Sequence, residues 1–213
     1  MVKIYPSLIG GNLLCIEQSI KQLEPYCDGF HLDVMDNHFV PNVTFGADMV
    51  NAIAQATNKQ LWVHLMVDNP RNWCDTLRLA PGSIVSFHIE AAHDHQSITK
   101  CITEKKWIPS IAINPKTPVA KILSLLNSID HVLVMSVEPG FSGQRFLESV
   151  LPKVRELKKA KPTITIGMDG GINLENIAQI AAAGAQDLAI ASGIFGSDDP
   201  ITALRTLRKK VNE

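Results

Sequence analysis

Cysteine is scarce, with four residues at positions 15, 27, 74 and 101 of a 213-residue chain and no CxxC pair. That scatter excludes a zinc knuckle or dithiol redox motif and implies no disulfide framework. Aromatic residues make up only 6% of the chain, and Trp62, Trp73 and Trp107 are too far apart to form a platform for stacked bases. Charge is balanced, 20 basic against 21 acidic residues, so no global field draws the chain to nucleic acid or an anionic membrane. The basic ending Arg205–Lys210 sits at helical spacing with Leu204 and Leu207, as a positive last turn complementing the helix dipole. No apolar run approaches membrane-spanning length, and Met1–Pro6 has no apolar signal core. The expectation is a cytoplasmic protein with neither nucleic-acid nor membrane partners.

What the chain has is alternation. Short β-branched runs at Val2–Tyr5, Gly29–Met35, Gln60–Val67, Ser83–Ile89, Pro109–Asn114, His131–Ser136, Thr163–Asp169 and Asp187–Ser192 read as strands. Between them, apolar residues at three- and four-residue spacing predict helices over Leu13–Leu23, Ala47–Ala56, Asn72–Leu79, Val119–Leu126, Val150–Lys159, Leu174–Ala183 and Pro200–Val211, with His95–Lys105 a weaker pattern. Thr117-Pro118 and Asp199-Pro200 read as caps followed by proline, Asn173 as a capped start and Gly184 as a C-cap. No linker or low-complexity tract divides the chain, and 46% hydrophobic residues suffice for one core. Eight unbroken strand–helix units predict a (β/α)8 TIM barrel, residues 1–213 forming a single domain.

The stretch His31–Asn42 organises the rest. In a strand, His31, Asp33 and Met35 share one face, opposite Leu32 and Val34. Burying a histidine and an aspartate there requires compensation, either a hydrogen-bonded core pair or a metal ion. Chemistry in such a barrel sits at the C-terminal strand ends. There lie Ser7; His31, Asp33 and Met35; His64 and Met66; His88 and Glu90; Met135; Asp169; and Ser192. Two histidines and two aspartates, His31, Asp33, His64 and Asp169, then face inward from three strand ends. That mixed nitrogen and oxygen set suits one zinc, iron(II) or manganese(II) ion.

Gly140, Phe141, Ser142 and Gly143, the pair Gly170 and Gly171, and Ala191 and Ser192 form small-residue loops after strands six, seven and eight. Each alone is an ordinary turn. Three at neighbouring strand ends predict a phosphate cradle of backbone N–H groups.

The segments His31–Asn42, His64–Val67, Phe87–Glu90, Asn114–Pro118, Met135–Phe146 and Gly167–Ile172 resemble ribulose-phosphate 3-epimerases, from about Ile4 to Phe195. The resemblance implies a (β/α)8 barrel interconverting D-ribulose 5-phosphate and D-xylulose 5-phosphate with one divalent metal ion per subunit. It implies His31, Asp33, His64 and Asp169 as ligands, Asp33 and Asp169 as the acid/base pair, Ser7 as a substrate contact, and Met35, Met66 and Met135 as a cap. Without it, the methionines read as core fillers. The resemblance also implies a homo-oligomer, a dimer or hexamer.

The chain departs from the family pattern at Asn37, Ser142 and Ala191, where glycine is usual. These positions leave open a six-carbon substrate such as D-allulose 6-phosphate. A related barrel decarboxylase would place a lysine between two aspartates, and Asp33-Val-Met-Asp36 has none. A non-catalytic phosphosugar-binding barrel is the alternative of another class. His88 shares a face with Glu90 and reads as a supporting residue. His93, His95 and His131 read as loop or strand-entry residues, and His38 as a surface or loop-packing group.

Overall fold

The computed structural model describes residues 1–92 and 94–212. Eight strands, β1 (Lys3–Pro6), β2 (Gly29–Met35), β3 (Gln60–Met66), β4 (Ile84–His88), β5 (Ile108–Ile113), β6 (His131–Met135), β7 (Thr165–Asp169) and β8 (Asp187–Ile190), pair in parallel in the order β1-β8-β7-β6-β5-β4-β3-β2. A bridge between Ser7 and His31 draws the two edges together, so the sheet is the expected barrel. Around it lie α1 (Ile16–Leu23), α2 (Ala47–Ala56), α3 (Pro70–Thr76), α4 (His95–Glu104), α5 (Leu151–Ala160), α6 (Ile177–Ala183), α7 (Ser192–Phe195) and α8 (Pro200–Asn212).

Strand alternation divides the apolar residues into two cores. Leu32, Val34, Val63 and Leu65 face outward and join Ile20, Leu23, Val50 and Ile53 from the helices. Tyr5, Trp62, Ile84, Ala112, Leu133 and Ala189 fill the barrel interior. Trp62 is wholly buried, and its indole N–H donates to Ser86 Oγ at 2.8 Å. The ring reaches across to β7, where a Cβ on Gly167 would lie 2.5 Å from it. Gly167→Ala is therefore expected to cost about 1–3 kcal/mol through overpacking. Urea denaturation checks this: a lower midpoint with unchanged slope is expected, and an unchanged midpoint would refute the packing account.

Most elements match the expected spans to within a few residues. The region Val119–Leu126 does not form the expected helix but two 3-10 turns, Val119–Lys121 and Leu123–Leu125. The expected Thr117 cap is diverted: its hydroxyl donates to Glu90, and Pro118, at the N-cap position, has no side-chain cap. The last strand stops at Ile190 because the chain turns at Ala191 into α7. Leu13–Cys15 is a 3-10 turn ahead of α1. Asp199 Oδ1 accepts from the Ile201 and Thr202 amides, and Gly184 adopts φ 111°, both as the sequence predicts. His131 is the first residue of β6, as expected, and its Nδ1 meets Ser110 Oγ at 2.8 Å. His95 lies in neither a loop nor a strand entry but opens α4, because Asp94 caps that helix by accepting from the Ser97 amide. His93 lies outside the described residues.

Candidate active site and metal centre

Strand register brings the polar residues together. On β2 and β3, Asp33 pairs with His64 and Met35 with Met66. Asp169, last residue of β7, pairs with Met135 on β6 and with Ala189 on β8. In the closed barrel β2 and β7 lie on either side of the β1–β8 pair, so Asp33 and Asp169 approach the axis from different directions. His31, Asp33, His64 and Asp169 offer ligand atoms all within 4.8 Å of one another.

The electrostatics of this group are tightly coupled. Asp33 Oδ2 accepts from Ser7 Oγ at 2.8 Å, and Asp33 Oδ1 lies 3.1 Å from His64 Nδ1. His64 Nδ1 is also 3.5 Å from Asp169 Oδ2. Burial works against the Asp33 charge, but His31 and His64 outweigh it and hold the carboxyl well below the usual range. Burial likewise opposes a charged His64, yet Asp169 and Asp33 raise its pKa to about 9. These contacts satisfy Asp33 without a metal, which is the hydrogen-bonded alternative for the His31/Asp33 pair. They leave His31 Nε2 buried and without a hydrogen-bond partner among the described residues. Two imidazoles and two carboxylates this close, with one nitrogen unsatisfied, fit a borderline divalent ion. These four residues could hold one.

His88 lies against this group rather than inside it. Its Nε2 meets His64 Nε2 at 2.8 Å, and its Nδ1 meets Glu90 Oε2 at 3.2 Å. Burial pushes the His88 pKa down to about 4. Burial would raise Glu90, but its bonds from His88, Thr117 and the Asn114 amide lower it to about 2. The Asn114–Thr117 turn is held in turn by Lys153, whose ammonium donates to the carbonyls of Asn114, Pro115 and Thr117 at 3.0, 2.6 and 2.6 Å. Alternation alone indicated the His88–Glu90 pairing. The Thr117 and Lys153 contacts are long-range and left no signal in local spacing.

Above the polar group opens a cleft of about 520 Å³, counting its open mouth. Ser7, Asp33 and Asp169 reach it from the barrel, and Met35, Met66 and Met135 form an apolar wall. Gly140, Phe141, Ser142 and Gly143, then Gly170 and Gly171, then Ala191 and Ser192 complete its rim. The three loops expected to cradle phosphate thus border one cleft. Gly171 has φ 65°, and a Cβ there would fall 2.5 Å from the Phe146 backbone nitrogen, so no larger residue fits that turn. Asn37 has φ 59°, as its glycine-like place in the turn requires. His38 is exposed and folds back on Asp36, whose carboxylate accepts from the amides of His38, Phe39 and Asp68. Gln144 also lines the cleft, and sequence reading did not single it out; its side chain donates to the carbonyls of Glu138 and Phe141 and clips the loop.

No helix among the described residues is long and apolar enough to cross a membrane. The family model for the Ribulose-phosphate 3 epimerase family matches residues 3–195. The chain is 38% identical to the Ribulose-phosphate 3-epimerase of Bacillus subtilis, over 98% of this chain and 99% of that protein. It is 37% identical to the cytoplasmic isoform of Ribulose-phosphate 3-epimerase from Oryza sativa, over 98% and 94%. Among solved structures, KGPDC from Streptococcus mutans superposes with TM-score 0.74 at 12% identity, covering 100% of this chain and 98% of that one. The 3-hexulose-6-phosphate synthase of Salmonella typhimurium gives 0.73 at 15% identity, covering 99% of each. At such identity these two structures speak to the shared barrel and no further.

Proposed function

The chain belongs to the ribulose-phosphate 3-epimerase family of carbohydrate isomerases, and from that premise we propose that it interconverts D-ribulose 5-phosphate and D-xylulose 5-phosphate by proton transfer at C3. The observation that carries this reading is the convergence of Asp33 and Asp169 from different sides on the floor of one cleft. Epimerisation next to a ketone removes a proton from one face and returns one to the other. One carboxylate on each face does both, the first as base and the second, protonated, as acid.

The other residues orient and isolate the sugar. The turns at Gly140–Gly143, Gly170–Gly171 and Ala191–Ser192 receive the phosphate on backbone N–H groups, which fixes the carbon chain across the two carboxylates. Ser7 positions Asp33 through its hydroxyl and borders the substrate. Met35, Met66 and Met135 exclude water without offering a competing proton. His31, Asp33, His64 and Asp169 would hold a divalent ion, which would supply Lewis-acid stabilisation of the negative charge developing on the substrate.

Turnover of D-ribulose 5-phosphate and of D-allulose 6-phosphate by the zinc- or manganese-loaded protein tests the assignment. A higher kcat/KM for the pentose phosphate is expected. Preference for the hexose phosphate would overturn the pentose assignment and direct attention to Asn37, Ser142 and Ala191. Equal inertness to both would return the chain to a phosphosugar-binding role.

A further inference from the structure

Outside the cleft, a chain of titratable groups that begins at the surface and ends on two buried imidazoles is not used by the chemistry above. It runs from Glu90 through His88 to the back of His64. The two imidazole nitrogens that face each other, His64 Nε2 and His88 Nε2, are 2.8 Å apart, and both rings are wholly buried. A contact this short between two buried nitrogens holds one proton; two would clash and none would leave two lone pairs opposed. Which ring carries it decides which nitrogen of His64 has a free lone pair.

Glu90 makes that choice. Its Oε1 is already occupied by the Thr117 hydroxyl and by the Asn114 amide at 2.9 Å. Its Oε2 lies 3.2 Å from His88 Nδ1. An ionised carboxylate only accepts, so His88 must donate from Nδ1. A neutral His88 then presents a lone pair at Nε2, and the shared proton resides on His64 Nε2. The remaining His64 nitrogen, Nδ1, is the one that faces Asp33 and Asp169.

We propose that Glu90 and His88 are positioning residues that hold the His64 proton on Nε2 and so reserve His64 Nδ1 as the metal-binding nitrogen. The inference rests on the metal reading given above and adds to it the device that selects the ligand atom. Phe39 packs on the His88 ring at 4.6 Å between centroids, and Lys153 holds the turn that supplies the Thr117 and Asn114 contacts. The relay therefore ties the centre to the loop after β5, which contributes no ligand of its own.

Glu90→Gln tests it with little change in shape. If the amide keeps its oxygen toward the Asn114 N–H, it turns its NH2 on His88 Nδ1. His88 must then accept there and donate from Nε2, which drives the His64 proton onto Nδ1. The expected result is a loss of about 10–100-fold in zinc affinity, measured by chelator competition on metal-stripped protein. The ring 15N spectra report the switch directly. In the zinc-loaded parent protein, His64 should be protonated at Nε2 and His88 at Nδ1. Zinc affinity within twofold of the parent, with the His64 proton unmoved, would overturn the relay and leave the metal site standing. If the parent itself takes up no divalent ion, the metal reading fails first and the relay falls with it. Should Glu90→Gln not fold, the parent spectrum still decides, because a proton on His88 Nε2 contradicts the proposal.

Discussion

Asp169→Asn is expected to leave a folded barrel and lower epimerase turnover by about 10²–10⁴-fold. The amide keeps the size of the carboxylate, and Asp169 sits at the end of β7 with its side chain 14% exposed, so little packing depends on its charge. What the variant loses is the ability to take up and release a proton at one face of the sugar. Steady-state turnover alongside thermal unfolding checks this. Retention of more than about a tenth of the rate would remove Asp169 from the acid/base pair, since such groups contribute far more.

His64→Ala should show a comparably large effect by another route. It deletes the imidazole lying between Asp33 and Asp169 and leaves two carboxylates facing each other. Zinc bound per chain, measured by elemental analysis after dialysis, should fall sharply. Turnover should fall by on the order of 10²-fold or more, since Lewis-acid stabilisation contributes several kcal/mol. Unchanged zinc content would exclude His64 from the ligand set.

The same residue gives a pH dependence whose sign is fixed. In protein stripped by chelator, His64 has a pKa of about 9, above the ordinary histidine value of 6.5, because Asp169 and Asp33 stabilise its charged form against burial. Its contribution to stability is then fully present below about pH 6.5 and lost as pH rises through about 9. Binding of a divalent ion must displace that proton, so zinc uptake at pH 7.5 should release protons and tighten as pH approaches 9. Calorimetry in buffers of different ionisation enthalpy measures the proton directly. Zinc uptake that releases none would show that His64 is not a ligand.

Much of this site could be read from the chain because a parallel barrel converts sequence position into spatial position. Once eight alternations were recognised, every strand end had an address, and period-two alternation put His31, Asp33 and His64 inside rather than out. The loops after β6, β7 and β8 were legible for the same reason: small residues at neighbouring strand ends border one cleft. Local rules failed where a side chain answered a distant partner. Thr117 has the sequence of a helix cap, yet its hydroxyl serves Glu90 in the turn after β4, and the expected helix after it dissolves into 3-10 turns. Gly167 carries no local sign that it makes room for Trp62 on the opposite side of the barrel. Lys153, on an outer helix, gives no hint of the three carbonyls it gathers.

The central claim is that two carboxylates, one on each face of the sugar, carry the proton transfer. Its most direct test is a single turnover of protiated D-ribulose 5-phosphate in deuterium oxide, with C3 of the product read by mass spectrometry or NMR. If Asp33 removes the proton on one side and Asp169 delivers on the other, or the reverse, the D-xylulose 5-phosphate formed carries solvent deuterium at C3. The unconverted substrate keeps its hydrogen. Product that retains the substrate's own hydrogen would mean that a single group moves the proton across, and would contradict the two-carboxylate account.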